Sequence, residues 1–214
     1  MDVTIIGTGK MAEGISTRLL SGGNNITFLG HKPHEADELI SRLSSSAAGG
    51  AAVKAASPGN PVEGEIVILA IPYSAASSVV RDYSRQLQGK IVVDITNPLN
   101  QSYDGLVTKP GTSAAEEIAG LLPQGARLVK AFNTTFAGTL KKGEVAGQKL
   151  DVFIAGDDAE AKRTISSLVS SGNMRAIDAG PLKRARDLEA LAFLLISLQG
   201  TMKTNFMSII KILE

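Results

Sequence analysis

Residues 1–20 read MDVTIIGTGKMAEGISTRLL, and this stretch decides the fold. Strand-forming residues at positions 3–6 lead into Gly7-Thr8-Gly9, after which apolar residues recur at helical spacing as far as Leu20. A strand, a glycine turn and a helix in this order are the setting in which G-x-G-x-x-[GA], here completed by Ala12, indicates a dinucleotide-binding loop. The alternative is an ordinary strand–turn–helix unit that contains glycines.

Each small residue of this motif has a physical role in holding a dinucleotide. Gly7 permits the tight turn off the strand, Gly9 lets a pyrophosphate approach the backbone, and Ala12 lets the helix pack on the strand. The unpaired N–H groups at the helix start, together with the positive end of the helix dipole, favour bound phosphates. We therefore predict a dinucleotide cofactor at this loop.

The end of the second predicted strand decides which dinucleotide fits. The chain there reads GHKPH over residues 30–34, and its first acidic residue is Glu35. An NAD site usually carries an acidic residue at this point, which binds the ribose 2′-hydroxyl. Gly30 followed by His31 and Lys32 instead suits a 2′-phosphate, because these residues add positive charge and remove repulsion. We predict NADP(H) in preference to NAD(H); the alternative is that these cations are solvated loop residues.

The composition excludes several classes of function. The chain has 214 residues, 43% of them hydrophobic and 20% charged, which is typical of a globular protein with a sizeable core. Its net charge is +1 and no basic stripe is present, so we predict no nucleic-acid partner. Without cysteines it has no disulfide or thiolate nucleophile, and we predict no metal site. Because we find neither a membrane-spanning apolar run nor a charged leader, we expect a cytoplasmic protein without a membrane partner.

Predicted strands and helices alternate along most of the chain, which favours an α/β fold with a doubly wound, mostly parallel Rossmann sheet. We predict strands at residues 3–6, 26–29, 51–55, 65–71, 91–95, 127–132, 151–155 and 174–178. We predict helices at residues 10–21, 35–45, 75–86, 113–122 and 158–171, and a loop at residues 143–149. Residues 1–180 would form the NADP-binding Rossmann domain, and residues 181–214 a short C-terminal helical segment packed on it or on a dimer partner.

Ligands of such sheets bind at the carboxyl ends of the strands, so chemistry is expected at these ends. Tyr73, Asn97 and Asn133 are the polar candidates for the nicotinamide end. Tyr73 could donate a proton or be a rim aromatic, while Asn97 and Asn133 could bind the carboxamide or the substrate. Turn geometry before Pro98 could equally explain Asn97, and Lys130 could point either way.

Acid–base groups are scarce at the predicted nicotinamide end. Both histidines of the chain, His31 and His34, lie at the adenosine end, so neither can act as a base on the substrate. A Tyr-x-x-x-Lys pair is also absent from the sequence. This composition suits hydride transfer between two ring cofactors, because the cofactors carry the chemistry while the protein aligns them and excludes water.

The motifs resemble those of NADPH-dependent deazaflavin reductases and of a wider dinucleotide-binding group that includes the reductase domains of the STEAP metalloreductases. The resemblance covers the whole chain and rests on IGTGKMA at 6–12, AIPY at 70–73, KAFNT at 130–134, AGDD at 155–158, DAGPL at 178–182 and ARDLE at 185–189. It implies that NADP is bound by Thr8, Gly9, Lys10, Met11, Gly30, His31, Lys32, Ile71, Pro72, Tyr73 and Asn133. Gly30-His31 stands where archetypal members carry Ser-Arg, so phosphate binding would rest on His31 and Lys32.

These inferences predict an NADP(H)-dependent oxidoreductase that transfers hydride between NADPH and a flavin-like or other small unsaturated acceptor. One alternative is an imine reductase similar to pyrroline-5-carboxylate reductase, whose N-terminal domain shares Gly-x-Gly-x-Met but whose helical dimerisation domain is longer. Another alternative is a non-catalytic NADP-sensing module, which could close the space above the nicotinamide. A homodimer formed through the apolar residues 188–198 is a further expectation, although core packing would explain them equally well.

Overall fold

The computed structural model describes residues 1–30, 33–57 and 59–213. Its strands are β1 (Asp2–Ile6), β2 (Asn25–Leu29), β3 (Val53–Ala56), β4 (Ile66–Leu69), β5 (Ile91–Asp94), β6 (Arg127–Lys130), β7 (Glu144–Val145), β8 (Gln148–Lys149), β9 (Asp151–Ala155) and β10 (Arg175–Gly180). Its α-helices are α1 (Lys10–Ser21), α2 (Pro33–Leu43), α3 (Tyr73–Asp82), α4 (Ser84–Leu87), α5 (Ala114–Ala119), α6 (Ala137–Lys142), α7 (Ala159–Ser171) and α8 (Ala185–Met202).

Eight of these strands form one sheet in the order β10-β9-β6-β5-β4-β1-β2-β3. Strands β1 to β6 are parallel to one another, which confirms the predicted α/β fold with a doubly wound, mostly parallel sheet. The strand order reverses at β1, which pairs with β2 on one side and β4 on the other. At such a switch point, open α/β sheets bind ligands at the carboxyl ends of their strands.

Strands β9 and β10 run in the opposite direction to the other six. β9 is antiparallel to β6, with Lys130 opposite Ala155, and β10 is parallel to β9. The carboxyl ends of these two strands therefore lie at the other edge of the sheet. As a result, the residues that follow the carboxyl ends of β9 and β10 do not contribute to a site at the carboxyl edge of β1 to β6.

Helices cover both faces of the sheet, so the central strands are buried on both sides. All four residues of β4 are buried: Ile66 and Ile68 pack with residues of α1 and α7, whereas Val67 and Leu69 pack with residues of α3 and α5. This division follows from the two-residue period of a strand. It explains why the strand reads as a continuous apolar run in the sequence.

Three local elements differ from the prediction. Within the predicted loop 143–149, residues 144–149 form a hairpin of β7 and β8, because Ala146 and Gly147 have φ of 51° and 72° and give the turn the twist of paired strands, while Gly143 caps α6. Helix α6 escapes prediction because its six residues are too few to show a periodicity. The C-terminal helical prediction extends too far, since α8 ends at Met202 and residues 203–213 are irregular.

The segment after β10 contacts the sheet at both of its ends. Near its start, Leu188 of α8 packs with Phe153 and Ala155 of β9. Near its end, Asp151 accepts hydrogen bonds from the N–H of Ile212 at 2.9 Å and from Nζ of Lys211 at 2.6 Å. Among the described residues, no helix is long and apolar enough to cross a lipid bilayer.

Candidate functional site

The glycine loop after β1 lies at the switch point of the sheet. Gly7 has φ of +116°, and a Cβ at this position would lie 2.2 Å from the carbonyl oxygen of Ala70, so no side chain fits. Gly9 precedes α1 in an extended conformation, and a Cβ there would meet none of the described atoms within 4 Å. The space above Gly9 is therefore open where a pyrophosphate is predicted to approach.

The start of α1 presents hydrogen-bond donors to this open space. The first helical hydrogen bond joins the N–H of Glu13 to the carbonyl of Gly9 at 3.0 Å. The N–H groups of residues 10–12 precede that bond and lie at the positive end of the helix dipole, where phosphates bind. Lys10 is exposed and Met11 half-buried, while Ala12 is fully buried. Of the predicted residues, 7–11 are thus at least partly exposed at the loop and helix start, whereas Ala12 packs in the core.

A small cavity of about 50 Å³ lies beside the glycine loop, at the ends of β1, β2 and β4. It is lined by the predicted residues Gly7, Gly30 and Ile71. Sequence reasoning missed the residues that line it from α3 and its C-cap, because they belong to no motif: Val79, Asp82 and Tyr83. The cavity lies where the sequence predicts the adenosine side of the cofactor.

An acidic side chain also reaches the glycine loop on this side. Thr8 Oγ1 donates a hydrogen bond to Oε2 of Glu35, in the first turn of α2, at 3.4 Å. The predicted phosphate-binding residues His31 and Lys32 lie outside the described residues. Pro72 is the exposed N-cap of α3.

The main cavity has a volume of about 760 Å³ and lies at the carboxyl ends of β5 and β6. It is bounded by these strand ends, by α1, and by the end of α8 with the residues after it. Its described lining consists of Met11, Ile95, Asn97, Tyr103, Asn133, Thr135, Phe136, Ile196, Gln199, Gly200, Lys203, Asn205 and Phe206. The volume lies in the range usual for small-molecule sites.

Two of the predicted nicotinamide-end residues pair with each other in this cavity. Nδ2 of Asn133 donates to Oδ1 of Asn97 and to the carbonyl of Leu188, both at 3.0 Å. Nδ2 of Asn97 donates to the carbonyl of Asn133 at 2.9 Å. Both amide protons of Asn133 are thereby used, which fixes the orientation of its carboxamide. Its Oδ1 is buried and has no hydrogen-bond partner within the described part of the chain, so it suits a donor on a ligand.

The strand ends beside this pair carry further unsatisfied polar atoms. The hydroxyls of Thr96 and Thr134 are buried and lack a partner among the residues that the structure describes. Phe132, between β6 and Asn133, has φ of 62°, a conformation that is costly for an aromatic residue. Backbone strain of this kind clusters at functional sites. The neighbours of Asn97 and Asn133 in the chain thus carry unsatisfied hydroxyls and a strained backbone, although Thr96 and Thr134 are not among the described residues that line the main cavity.

Tyr73 lies apart from the asparagine pair, at the start of α3. Its hydroxyl donates a hydrogen bond to Glu117 of α5, and Tyr73 is not among the described residues that line the main cavity. Burial, reinforced by the hydrogen bond to Glu117 and by its charge, raises the pKa of Tyr73 to about 12. A phenol held in its protonated form is a poor proton donor near neutral pH. The position of Tyr73 outside the main cavity favours the alternative that it is an aromatic residue at the rim of the site and not a proton donor.

Lys130 points into a buried cluster of charges. Its Nζ lies 2.7 Å from Oδ2 of Asp94, 2.8 Å from Oε1 of Glu189 and 2.5 Å from the carbonyl oxygen of Thr96. Glu189 also accepts a hydrogen bond from the N–H of Ala114, at the start of α5, at 3.0 Å. Burial raises the pKa of Glu189, and the charge of Lys130 opposes that shift. The cluster joins β5, β6, α5 and α8 next to the asparagine pair.

The outer wall of the main cavity comes from residues that sequence reasoning did not identify. The rings of Phe136 and Phe206 meet edge to face, with centroids 5.2 Å apart and planes at 89°. Gln199 and Lys203 line the same wall. No motif marks these residues, and the apolar character of the C-terminal stretch was the one available signal.

The chain is similar to proteins of one oxidoreductase family. The profile of the family described as "NADP oxidoreductase coenzyme F420-dependent" matches residues 2–98. The chain is 30% identical over 216 residues to the F420-dependent NADP reductase of Methanocaldococcus jannaschii, which covers 96% of this chain and 95% of the relative. It is 31% identical over 194 residues to metalloreductase STEAP3 of Rattus norvegicus, which covers 91% of this chain but 37% of the relative. The chain thus spans little more than a third of that metalloreductase.

Similarity to a solved structure extends over the entire fold. A protein of Arthrobacter sp. FB24, assigned as an F420-dependent NADP reductase, superposes with a TM-score of 0.82 at 26% sequence identity. The superposition covers 99% of each chain. It therefore includes the C-terminal segment that bounds the main cavity.

Proposed function

The chain belongs to the family of F420-dependent NADP reductases, and we propose that it transfers a hydride between NADPH and a flat, flavin-like acceptor. The observation that carries this proposal is the main cavity, which has room for a second ring beside a nicotinamide. Its described lining contains no carboxylate and no histidine. Such a lining suits hydride transfer between two rings, because the protein then contributes alignment and exclusion of water.

In this proposal, NADP(H) lies across the carboxyl ends of the strands. The pyrophosphate binds above Gly9, where the lack of a Cβ leaves open space, and the adenosine binds beside Gly30 and Ile71. The nicotinamide carboxamide donates a hydrogen bond to Oδ1 of Asn133. The unsatisfied state of this buried oxygen supports the fit, because a ligand N–H would remove the cost of leaving it unpaired.

The residues of the cavity then act by orientation and shielding. When bound, NADPH supplies the hydride. Asn97 holds the carboxamide of Asn133 in one orientation, so the ring that Asn133 binds presents one face to the acceptor. Met11, Ile95 and Phe136 give the cavity apolar walls that exclude water. Any proton that the acceptor gains or loses is exchanged with solvent.

The size of the cavity supports a reductase over a non-catalytic sensor. A sensor that only binds NADP could close the space above the nicotinamide, whereas a reductase must leave a slot for its acceptor. The volume of about 760 Å³ supports the second arrangement.

Preference for NADP(H) over NAD(H) is part of the proposal. Gly30, His31 and Lys32 favour a 2′-phosphate by their sequence, whereas the carboxylate of Glu35 reaches Thr8 and opposes a second negative charge. We expect NADPH to bind about tenfold more tightly than NADH, as one charge-assisted hydrogen bond would give. The variant Glu35→Gln should widen this difference in Kd. Tighter binding of NADH by the unmodified chain would contradict the preference.

The proposed reaction is tested by following NADPH absorbance with a panel of acceptors: deazaflavin, FMN, FAD, a ferric chelate and pyrroline carboxylate. We expect turnover with a flat-ring acceptor. Gly9→Val should abolish this turnover, because its Cβ lies in the space above the loop, where no described protein atom is within 4 Å and the pyrophosphate is proposed to bind. Gly120→Ala is the matched control, since its Cβ makes an ordinary contact of 3.5 Å with Glu117. Tight NADPH binding without turnover would contradict the proposal, and turnover of pyrroline carboxylate alone would favour an imine reductase.

A further inference from the structure

The side chain of Gln199, near the end of α8, has all of its polar groups engaged. Its Nε2 donates to the carbonyl of Leu195 and to Oγ of Ser208, both at 2.8 Å. Its Oε1 accepts from Oγ1 of Thr204 at 2.5 Å and from the N–H of Phe206 at 3.0 Å. Gln199 is 7% exposed, so these bonds are made where water does not replace them readily.

The segment held by these bonds turns back sharply after α8. Lys203, Asn205 and Phe206 have φ of 53°, 49° and 58°. Left-handed conformations are unfavourable for residues other than glycine, so three of them within four residues require support from outside the turn. The bonds from Thr204 and Phe206 to Gln199 give that support.

This turn forms the outer wall of the main cavity. The rings of Phe136 and Phe206 meet edge to face, and both residues line the cavity. A Cβ on Gly138 would lie 2.8 Å from Sδ of Met207, so the residue after Phe206 packs closely on α6. Phe206 is nevertheless 49% exposed, which leaves part of its ring available to a ligand.

We propose that Gln199 is a positioning residue for the acceptor: it fixes residues 203–206 so that Phe206 forms an aromatic wall against which a flat ring binds. This inference rests on the proposed function, because the acceptor is the ligand that would contact this wall. In the proposed function, the nicotinamide binds at Asn133, on the strand-end side of this cavity, and the rest of NADPH binds at the glycine loop, which is not part of the described lining. Phe206 lies on the α8 side, so we expect the loss of Gln199 to weaken binding of the acceptor and to leave the Kd for NADPH almost unchanged.

The test compares FMN binding, measured by quenching of flavin fluorescence, between the unmodified chain and Gln199→Met. Methionine keeps the length of the side chain but removes its hydrogen bonds. We expect the Kd for FMN to rise about tenfold, as the loss of an aromatic contact would give, while the Kd for NADPH stays within about twofold. Gln86→Met is the matched control, because Oε1 of Gln86 accepts a bond from the N–H of Val62 at 2.6 Å away from the cavity. It should lower the Tm without changing the Kd for FMN.

A second variant shows whether Gln199 acts through the aromatic wall. Phe206→Leu removes the ring directly and should weaken FMN binding to the same degree. Because both changes act on the same aromatic wall, their effects should not add, and the double variant should bind FMN no more weakly than either single variant. Binding of ferricyanide, which has no flat ring, should be unchanged in all three.

Several outcomes would overturn the role of Gln199. One is an equal Kd for FMN in the unmodified chain and in Gln199→Met, and another is a similar loss of NADPH affinity in Gln199→Met. The others are additive losses of FMN affinity in the double variant with Phe206→Leu, and no binding of FMN by the unmodified chain. Failure of the proposed function is recognised separately, as binding of NADPH and FMN without oxidation of NADPH. In that case, the FMN dissociation constants still decide whether Gln199 positions the wall.

Discussion

Asn97 and Asn133 hold each other across the ends of two neighbouring strands, with Nδ2 of each within 3.0 Å of an oxygen of the other. The pair joins two loops into one rigid surface. It leaves Oδ1 of Asn133, a residue that lines the main cavity, as a buried acceptor with no partner among the described residues. A cofactor amide that binds this oxygen would be oriented by the strands themselves and not by a mobile loop.

Replacing Asn133 therefore tests the nicotinamide end of the site. We expect Asn133→Ala to lower kcat/KM for NADPH about 10- to 100-fold, because the ligand loses a hydrogen bond that a preoriented group supplies. Steady-state kinetics with the best acceptor of the panel measures this. Asn25→Ala, at the amino end of β2, should leave kcat/KM unchanged. Equal kinetics in the two variants would contradict a role for Asn133.

Removing Lys130 should destabilise the fold strongly. Lys130→Met leaves the buried carboxylates of Asp94 and Glu189 without their cation, and we expect the free energy of unfolding to fall by about 3–5 kcal/mol. Urea denaturation measures this change. Lys162→Met is the control, because its partner Asp178 is 58% exposed and such pairs contribute less than about 1 kcal/mol.

A second substitution separates charge from packing at this cluster. Adding Glu189→Gln to Lys130→Met removes one of the two uncompensated charges, so part of the lost stability should return. A double variant that is less stable than Lys130→Met would contradict this explanation.

Stability should depend on pH through Asp151. Burial by itself raises the pKa of this carboxyl, but hydrogen bonds from Arg175 and Lys211 outweigh burial and hold it well below the usual range. A carboxyl with a lower pKa in the folded chain stabilises the fold above its unfolded pKa, and this contribution is lost as the pH falls toward the folded pKa. The advantage of the unmodified chain over Asp151→Asn should thus be full at about pH 6 and shrink below about pH 4.

Urea unfolding at a series of pH values measures that advantage. Asp37→Asn, on the exposed face of α2, controls for the loss of a carboxyl in general. A difference between the unmodified chain and Asp151→Asn that stays constant down to about pH 2 would contradict the assignment to Asp151.

Tyr73 should titrate later than an ordinary tyrosine and contribute little to catalysis. Its raised pKa means that the protonated form stabilises the fold below the unfolded pKa near 10, and that this contribution is lost as the pH rises toward 12. Alkaline titration of tyrosinate absorbance should show one of the three tyrosines ionising late. Tyr73→Phe should remove that late step and keep kcat within about threefold. A much larger loss of kcat would show that Tyr73 is the proton donor.

The sequence was most informative where a motif imposes local geometry. Gly7 could be predicted because a strand-to-helix turn needs a residue with positive φ. The structure adds a steric reason, since a Cβ at Gly7 would clash with the carbonyl oxygen of Ala70. Asn133 could be identified as a candidate from its place after a strand. Its partner, the carbonyl of Leu188, could not, because the contact joins residues 55 positions apart.

Lys130 shows why other features were not predictable. Both faces of β6 are covered, so the sequence pattern does not show toward which face the side chain of Lys130 points. That orientation depends on Glu189, which lies in a helix much later in the chain. The wall formed by Phe136 and Phe206 likewise depends on a contact between distant segments. The reversed direction of β9 follows from the same kind of long-range packing, which periodicity does not encode.

The reversal of β9 and β10 also offers a site for a reporter group. The loop after β9 and the first turn of α7 lie at the edge of the sheet away from the main cavity, and Glu160 is exposed there. Because the chain has no cysteine, Glu160→Cys would create a single thiol for attachment of a dye. A fluorophore at this position would follow tumbling or surface immobilisation of the molecule without entering the space where the two rings meet.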